Sequence, residues 1–463
     1  MSTTRRTRRA YVETYGCQMN ISDGELMEGI LAAGGYEIVS APEDADVVLV
    51  NTCAIREHAE QRVLGRVGQL GALKRARPDM VLGVTGCMAQ RMGEELLDKA
   101  GHVDLVMGPD GYRGLPDALD RLGSPAGAHR DEKPAPVRRP SRQLAVLDLN
   151  LGENYQGLEQ RRSEGASAWV TIQRGCDHRC TFCIVPYVRG PEKNRSALEI
   201  LTEIRGLADQ GVTSVTLLGQ TVNSYRWEAW TFPDLLRAVA RVDGIRRVWF
   251  TSPHPTDVTP ELVEVMASEP AVCEMLHLPV QSGSDRTLKR MLRRYTVEQF
   301  LEKVEMVREA IPGIALTTDI IVGFPGETEE EFEATLDLAR HVRFDDAFTY
   351  KYSPRDGTPA TRLPAGDFLP ADVAQARLET LIGVTRAIQA QINEGRVGRV
   401  VEVLVEKEAR SDGHVLGRTR GNKVVAFPGG LDLVDRYLDV VLERTTGATF
   451  VGRAVPEPAV AAG

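Results

Sequence analysis

Short apolar runs alternate with longer stretches of helical periodicity along most of the chain. Ala10-Tyr-Val-Glu-Thr-Tyr, Asp46-Val-Val-Leu-Val-Asn and Met80-Val-Leu-Gly-Val-Thr have the length of strands, and helical patterns separate them. The alternation predicts a parallel sheet over residues 10–122. Residues 123–165 interrupt it. Pro125, Pro134, Pro136 and Pro140 lie there among charges that include Arg138, Arg139 and Arg142, as in a linker wrapped over the surface. A second alternation opens with Ala168-Trp-Val-Thr-Ile. It continues through Ser214–Leu218, Arg246–Thr251, Glu274–Leu278, Ala315–Val322 and Asp346–Lys351. Amphipathic stretches such as Ala197–Asp209, Val297–Ala310 and Glu329–Val342 separate these runs. Six βα units over residues 166–393 predict an open, parallel, barrel-like sheet rather than a closed eight-unit barrel. From 394 to 455 strand follows strand: Val400–Val405, His414–Arg418, Val424–Phe427, Tyr437–Leu442 and Thr449–Arg453. Five strands without helices predict a small antiparallel barrel of OB-like shape, a form that often binds nucleic acid. The fold class is α/β with a β-barrel appended.

A length of 463 residues suits about three domains, and 42% hydrophobic with 26% charged residues is ordinary for globular chains. No apolar run is long enough to span a membrane. Ser2-Thr-Thr-Arg-Arg-Thr-Arg-Arg is basic, but no apolar segment follows it, so it does not read as a secretory signal. It is also too short for a transit peptide, and a cytoplasmic protein is expected. The net charge of −9 argues against a nucleic-acid partner only as a whole-chain average. A local basic surface is what binds phosphate.

Cysteines change the picture most. Cys176, Cys180 and Cys183 form a C-x3-C-x2-C run in Arg174-Gly-Cys-Asp-His-Arg-Cys-Thr-Phe-Cys. Three thiolates at this spacing can hold three irons of a [4Fe-4S] cube and leave the fourth without a protein ligand. An electron carrier uses four cysteines, so an open iron points to a small molecule bound there. Zinc, with His178 as a fourth ligand, is the competing reading. Structural disulfides do not suit a chain without a secretory signal. Cys17, Cys53 and Cys87 occur in Tyr15-Gly-Cys-Gln-Met-Asn, Val50-Asn-Thr-Cys and Thr85-Gly-Cys-Met, each just past a predicted strand. Ligands of open α/β sheets collect at the carboxyl ends of strands, so these three can converge on one point. They predict a second cluster with three protein ligands. Cys273 is left over and reads as a buried free thiol.

Two basic patches answer the net charge. Arg286, Lys289, Arg290 and Arg293 fall at i, i+3, i+4 and i+7, one face of a helix, with Leu288, Met291 and Leu292 left for a core. Phosphate contacts are expected there, against the alternative of a solvated helix face. Arg410, Arg418, Arg420 and Lys423 lie on the strands or turns of the last barrel, where they can track an RNA backbone. Gly323-Phe-Pro-Gly-Glu lacks the Lys-Ser/Thr of a phosphate loop and reads as the end of a strand shaping a pocket. His254 and His277 fit a structural hydrogen bond as well as a substrate contact.

Several segments together resemble the radical S-adenosylmethionine (SAM) methylthiotransferases. They are Tyr15-Gly-Cys-Gln-Met-Asn, the Cys176 run, Ile184-Val-Pro-Tyr-Val-Arg-Gly and Leu218-Gly-Gln-Thr-Val-Asn-Ser-Tyr. Leu278-Pro-Val-Gln-Ser-Gly-Ser, Asp319-Ile-Ile-Val-Gly-Phe-Pro-Gly-Glu-Thr and Tyr352-Ser-Pro-Arg-Asp-Gly-Thr-Pro-Ala complete the set. The resemblance runs over nearly the whole chain. It implies a Rossmann-like N-terminal domain, a radical-SAM (βα)6 partial barrel and a C-terminal TRAM domain, an RNA-binding barrel. It implies two [4Fe-4S] clusters, on Cys176/Cys180/Cys183 and on Cys17/Cys53/Cys87, with no catalytic residue beyond these ligands. Phe182, Gly219 and Gln220 then contact SAM. The Tyr-Gly-Cys-Gln-Met-Asn form is similar to the branch acting on isopentenyl-adenosine beside the anticodon of tRNA. Sister branches act on threonylcarbamoyl-adenosine in tRNA or on an aspartate of a small-subunit ribosomal protein. The implied chemistry is reductive cleavage of SAM to a 5′-deoxyadenosyl radical, hydrogen abstraction from an unactivated adenine C–H, and transfer of a sulfur that a second SAM has methylated. An external reductant and a sulfur donor are implied partners, along with the anticodon stem-loop. The sequence departs from the family pattern at Asn194, where Ser is usual, and at Thr221, where Asn is usual. An iron–sulfur electron carrier or a pure RNA-binding protein is the rival class. The first needs no βα barrel, and the second leaves both cysteine triplets unexplained.

Overall fold

The computed structural model describes residues 7–54, 57–123, 143–162 and 165–456. Residues 1–6 of the basic start, and the linker segment 124–142 with its prolines and Arg138, Arg139 and Arg142, lie outside the described residues. The chain divides into two compact units. Residues 173–178 and 183–195 cluster with the first, and residues 165–172, 179–182 and 196–456 form the second.

In the first unit, β1 (Arg9–Thr14), β2 (Glu37–Ile38), β3 (Val47–Thr52), β4 (Val81–Gly86), β5 (Leu105–Met107) and β6 (Leu144–Val146) form one sheet. Its order is β2-β1-β3-β4-β5-β6. Every pairing is parallel. Each residue of β3 and β4 is buried, as a parallel sheet covered on both faces requires. Leu49 and Met107 pack with Leu26 and Leu119 on one face, and Val48, Val50 and Val84 pack with Val63 and Val67 on the other. Chain order reverses between β1 and β3, which opens a crevice at their carboxyl ends. The structure corrects the linker expectation in part. Leu144–Val146 return to the sheet as its last strand, and Tyr155 is buried in the core beyond it. A three-residue apolar run beside a proline-rich segment carries no periodicity, and the open edge of β5 selects it.

The second unit holds β7 (Ser167–Thr171), β8 (Ser214–Leu218), β9 (Arg247–Phe250), β10 (Met275–His277), β11 (Ala315–Val322) and β12 (Asp346–Lys351). β8 pairs in parallel with β7 and β9, and β11 with β10 and β12. A parallel bridge from Val248 to Val272 links the two groups. The six predicted βα units are therefore present in chain order, as in a partial barrel. Side chains alternate across it: Leu316, Ile320 and Val322 join the core under the helices, while Thr317, Asp319 and Ile321 take the other face. Helices Val297–Ala310 and Glu329–Val342 start at the capping boxes of Thr296 and Thr328.

β13 (Val400–Glu408), β14 (His414–Thr419), β15 (Val424–Pro428), β16 (Tyr437–Thr445) and β17 (Thr449–Ala454) close a barrel around Val403, Val415, Phe427, Val440 and Phe450. All neighbours are antiparallel except β15 and β17. This barrel is fastened to the amino-terminal ends of the larger barrel's strands. Thr213 Oγ1 and Tyr437 OH lie 2.9 Å apart, Arg247 reaches Glu402 at 2.9 Å, and Lys423 Nζ donates to the Asp345 carbonyl at 2.8 Å. Thr213, Arg247 and Asp345 stand just before or at the start of β8, β9 and β12.

A second correction concerns the expected basic helix. It spans only Asp285–Arg290, Leu292 takes φ +54° and is 53% exposed, and Arg293 turns inward. Leu288 and Met291 are buried as expected. Among the described residues no helix is long and apolar enough to cross a membrane.

Candidate functional site

Cys17 ends the turn after β1 and caps the helix Gln18–Ala33. Cys53 follows β3 directly, and Cys87 opens the helix Cys87–Met92 directly after β4. Three neighbouring strands thus deliver three thiols to one corner. The Cys53 thiol hydrogen-bonds Cys17, and this contact above all lowers the Cys17 thiol to about 6. Burial raises the Cys87 thiol, with the Arg189 cation opposing it. Two glycines make the approach possible. Gly16 has φ +143°, and a Cβ there would stand 2.5 Å from Cys53 Cβ. Gly86 has φ +94°, and a Cβ there would stand 2.5 Å from both Asn51 Oδ1 and the Thr52 carbonyl. Buried Asn20 and Asn51 knit the turns together: Asn51 Nδ2 donates to the Asn20 carbonyl at 2.7 Å, and Asn20 Nδ2 to the Thr52 carbonyl at 3.1 Å.

Arg189 completes this corner. It ends the helix Val185–Arg189, donates from Nε to Cys87 Sγ at 3.1 Å and from Nη2 to Asp23 at 2.6 Å. Ile184 and Val188 of the same segment pack on Cys87 and Ala54. Sequence reasoning did not single out Arg189 or Asp23. The only signal was the place of Arg189 in Ile184-Val-Pro-Tyr-Val-Arg-Gly.

The cysteine run is anchored on either side. Gln173–Arg174 pair with Lys193–Asn194, and the Cys176 amide donates to the Gly190 carbonyl at 3.1 Å. Gly175 has φ +76°, and a Cβ there would lie 2.0 Å from the Pro191 carbonyl oxygen. Fully buried Arg174 lies 3.1 Å from Asp110, with its guanidinium 3.5 Å above the Tyr155 ring, and Lys193 joins the same carboxylate at 2.7 Å. Asn194 donates to Glu192 at 2.9 Å, and Thr221 is buried.

In the second unit the carboxyl ends of the strands carry the remaining candidates. Arg293 donates from Nη1 to Cys180 Sγ at 3.3 Å, from Nη2 to the Pro279 carbonyl at 3.1 Å and from Nε to Tyr295 at 3.0 Å. Phe182 packs against the cluster of Met291, Phe324 and Ala360. Gly219 and Gln220 follow β8 directly. His254 is buried, bonded through Nδ1 to Thr256 at 2.7 Å and clasped through its backbone by Asn223. His277 lies on β10 with Thr317 at 2.9 Å and Asp319 at 3.4 Å. Gly323 follows β11, and its amide donates to buried Glu327 at 2.7 Å. Cys273 is buried and free, its thiol pushed up to about 12 by burial.

The basic residues separate into different roles. Lys289 is exposed, and Arg286 is half exposed with Glu331 at 2.9 Å. Arg290 pairs with Asp367 at 2.6 Å, and Arg293 is buried against Cys180, so the expected single basic face does not form. In the last barrel, Arg418 bonds Glu406 and Asn422, Arg420 bonds Glu274 of the larger barrel, and Lys423 is buried on Asp345. Arg420 and Lys423 hold the two barrels together, because carboxylates and carbonyls distant in sequence meet them there.

A partial barrel with its cysteine loop after the first strand, and a closed small barrel behind it, defines a radical-SAM enzyme with an appended barrel. Residues 170–339 match the Radical SAM superfamily, residues 9–108 the uncharacterized protein family UPF0004, and residues 395–455 the TRAM domain. Relatives in several bacteria bear the name tRNA-2-methylthio-N(6)-dimethylallyladenosine synthase. The protein of Chloroherpeton thalassium is 44% identical over 96% of this chain and 96% of its own length. That of Carboxydothermus hydrogenoformans is 44% identical over 95% and 97%, and that of Moorella thermoacetica 45% identical over 96% and 97%. The chain belongs to the family of these synthases. Its fold is shared with the radical S-adenosylmethionine methyltransferase TsrM from Kitasatospora setae, at TM-score 0.56 and 17% identity over 76% of this chain and 77% of that one. With the family come an iron–sulfur cluster and SAM.

Proposed function

We propose that this enzyme converts N6-isopentenyl-adenosine beside the anticodon of tRNA to its 2-methylthio derivative, with SAM as both radical source and methyl donor. The observation that carries the proposal is the convergence of Cys17, Cys53 and Cys87 at the ends of β1, β3 and β4, in a chain that also holds the C-x3-C-x2-C run. Each set offers three soft thiolate donors, and Arg189 Nη1 is buried without a partner among the described residues. Both features fit a [4Fe-4S] cluster with one iron left open. Cys176, Cys180 and Cys183 would hold one cluster and Cys17, Cys53 and Cys87 the other. Bound there, the clusters would supply an electron for SAM cleavage and sulfur for transfer.

The chain's own residues prepare the chemistry. Arg293 holds Cys180 in place, and Arg189 holds Cys87. Phe182, Gly219 and Gln220 are assigned to SAM. Lys289 and Arg286 are exposed bases at the carboxyl end of the partial barrel and are assigned to tRNA phosphate. Arg418, 41% exposed, is a further RNA candidate on the small barrel. An external reductant and a sulfur donor complete the reaction.

The test is methylthiolation of prenylated and unprenylated tRNA by the reconstituted enzyme, beside a small-subunit ribosomal-protein control. Product on prenylated tRNA alone is expected. Modification of the protein with none of the tRNA would overturn the substrate. Iron counted in the same preparations should be about eight per chain, and about four after either cysteine triplet is changed to Ala.

A further inference from the structure

Arg189 is more enclosed than a surface cation could be. Its side chain is 3% exposed, and that of Asp23 beside it 1%. Nε and Nη2 are committed to Cys87 Sγ at 3.1 Å and Asp23 at 2.6 Å. Nη1 is buried and has no acceptor among the described residues. A buried donor without an acceptor is costly, so an acceptor supplied from outside the chain is expected at Nη1. The other members of the corner are engaged elsewhere: Asn20 Oδ1 accepts from Cys17 Sγ at 3.3 Å, Asn51 Oδ1 accepts from Asn20 Nδ2 at 3.4 Å, and Cys53 is spent on Cys17. The guanidinium is held rigidly, because Ile184 and Val188 pack its helix onto Cys87 and Ala54.

We infer that Arg189 is a positioning residue for a small sulfur anion held in the three-cysteine pocket of the first unit. Its Nε fixes the Cys87 sulfur, and its Nη1 donates to a hydrosulfide or methanethiolate at the place the protein leaves unligated. Asp23 sets the orientation of the guanidinium, and Nη1 is the donor left over for the anion. This inference rests on the assignment of Cys17, Cys53 and Cys87 as cluster ligands.

The test uses the full chain with Cys176→Ala, Cys180→Ala and Cys183→Ala, reconstituted anaerobically so that iron resides in this pocket alone. Methanethiolate is titrated in, and the electron paramagnetic resonance spectrum of the reduced cluster is followed. Arg189→Lys keeps the charge but loses the fork, and it should retain iron and bind methanethiolate about 10- to 100-fold more weakly. Arg189→Gln should weaken binding at least as much. Labelling arginine with 15N in the chain with Arg189 intact gives a readout independent of any Arg189 variant. A guanidinium nitrogen coupling should appear in the reduced cluster and change when methanethiolate is added. Unaltered affinity in Arg189→Lys with iron retained, or no nitrogen coupling, overturns the inference alone. Absence of iron from the parent chain overturns the cluster assignment with it.

Discussion

Arg420 grips Glu274 from two nitrogens, Nε at 2.8 Å and Nη2 at 2.8 Å, and spends Nη2 also on the carbonyls of Pro270 and Val272. The residue belongs to the turn after β14, and its partners precede β10. Bidentate contacts of this kind combine charge with fixed geometry. Arg420→Ala should therefore loosen the small barrel from the larger one, at about 1–3 kcal/mol. Limited proteolysis between Glu394 and Val400 is the measurement, and Arg420→Ala should be cut faster than wild type. Equal cutting rates would show that the grip does not hold the barrel.

Arg293 should matter to SAM cleavage although it lies outside the cysteine run. It fills its three nitrogens with Cys180, Tyr295 and Pro279, and no carboxylate pairs with it among the described residues. Groups that orient a metal's ligands typically change affinity or activity about 10- to 100-fold when removed. Arg293→Gln should reduce reductive SAM cleavage by about that factor while circular dichroism shows the fold intact. Cleavage at the wild-type rate would leave Arg293 a packing residue only.

Strands were legible because Val48–Val50, Val84 and Ile320–Val322 are runs that only a buried sheet accepts. The cysteines were legible for a related reason: residues just past parallel strands share an end of the sheet, whatever separates them in sequence. Arg293 was misplaced because periodicity extends a helix until something stops it. What stopped this one is Leu292 at φ +54° and an acceptor set on Cys180 and Pro279, which local pattern does not encode. Arg420 and Lys423 read as an open basic surface for the same reason. Their partners Glu274 and Asp345 lie 146 and 78 residues away. Arg189 stood in a recognised segment, but its contact with Cys87 spans 102 residues.

Gly86 tests how tightly the first unit's cysteine corner is built. Its φ of +94° is strained for any side chain, and the Cβ would collide with Asn51 Oδ1 and the Thr52 carbonyl at 2.5 Å. Backbone oxygen cannot move aside without disturbing β3 and, through it, Cys53. Gly86→Ala should cost about 1–3 kcal/mol and lower the iron held by Cys17, Cys53 and Cys87. Calorimetry and iron analysis of the Cys176/Cys180/Cys183→Ala chain measure the two effects. Gly65→Ala, inside the helix Glu57–Ala76 where a Cβ meets nothing within 4 Å, is the control: it should leave the iron unchanged and raise stability by about 0.5–1 kcal/mol.

Glu25 should make the first unit's stability depend on pH. It lies on the helix that Cys17 caps, and its Oε2 is buried without a partner among the described residues. Burial raises its carboxyl to about 7, with Arg162 opposing and Glu28 reinforcing the shift. Its ordinary value is 4.5, so the folded state holds this proton more tightly than the unfolded state does. The cost of ionising it is therefore absent below about pH 4.5, grows as pH rises, and is complete above about pH 7. Glu25→Gln removes a charge without changing shape, so it should stabilise the protein at pH 8 by on the order of 2 kcal/mol. At pH 5 most of that gain should vanish, because wild-type Glu25 is then largely neutral too. Thermal unfolding of both proteins at the two pH values measures it. A gain of the same size at both would mean that the carboxylate's charge is not what destabilises the wild type.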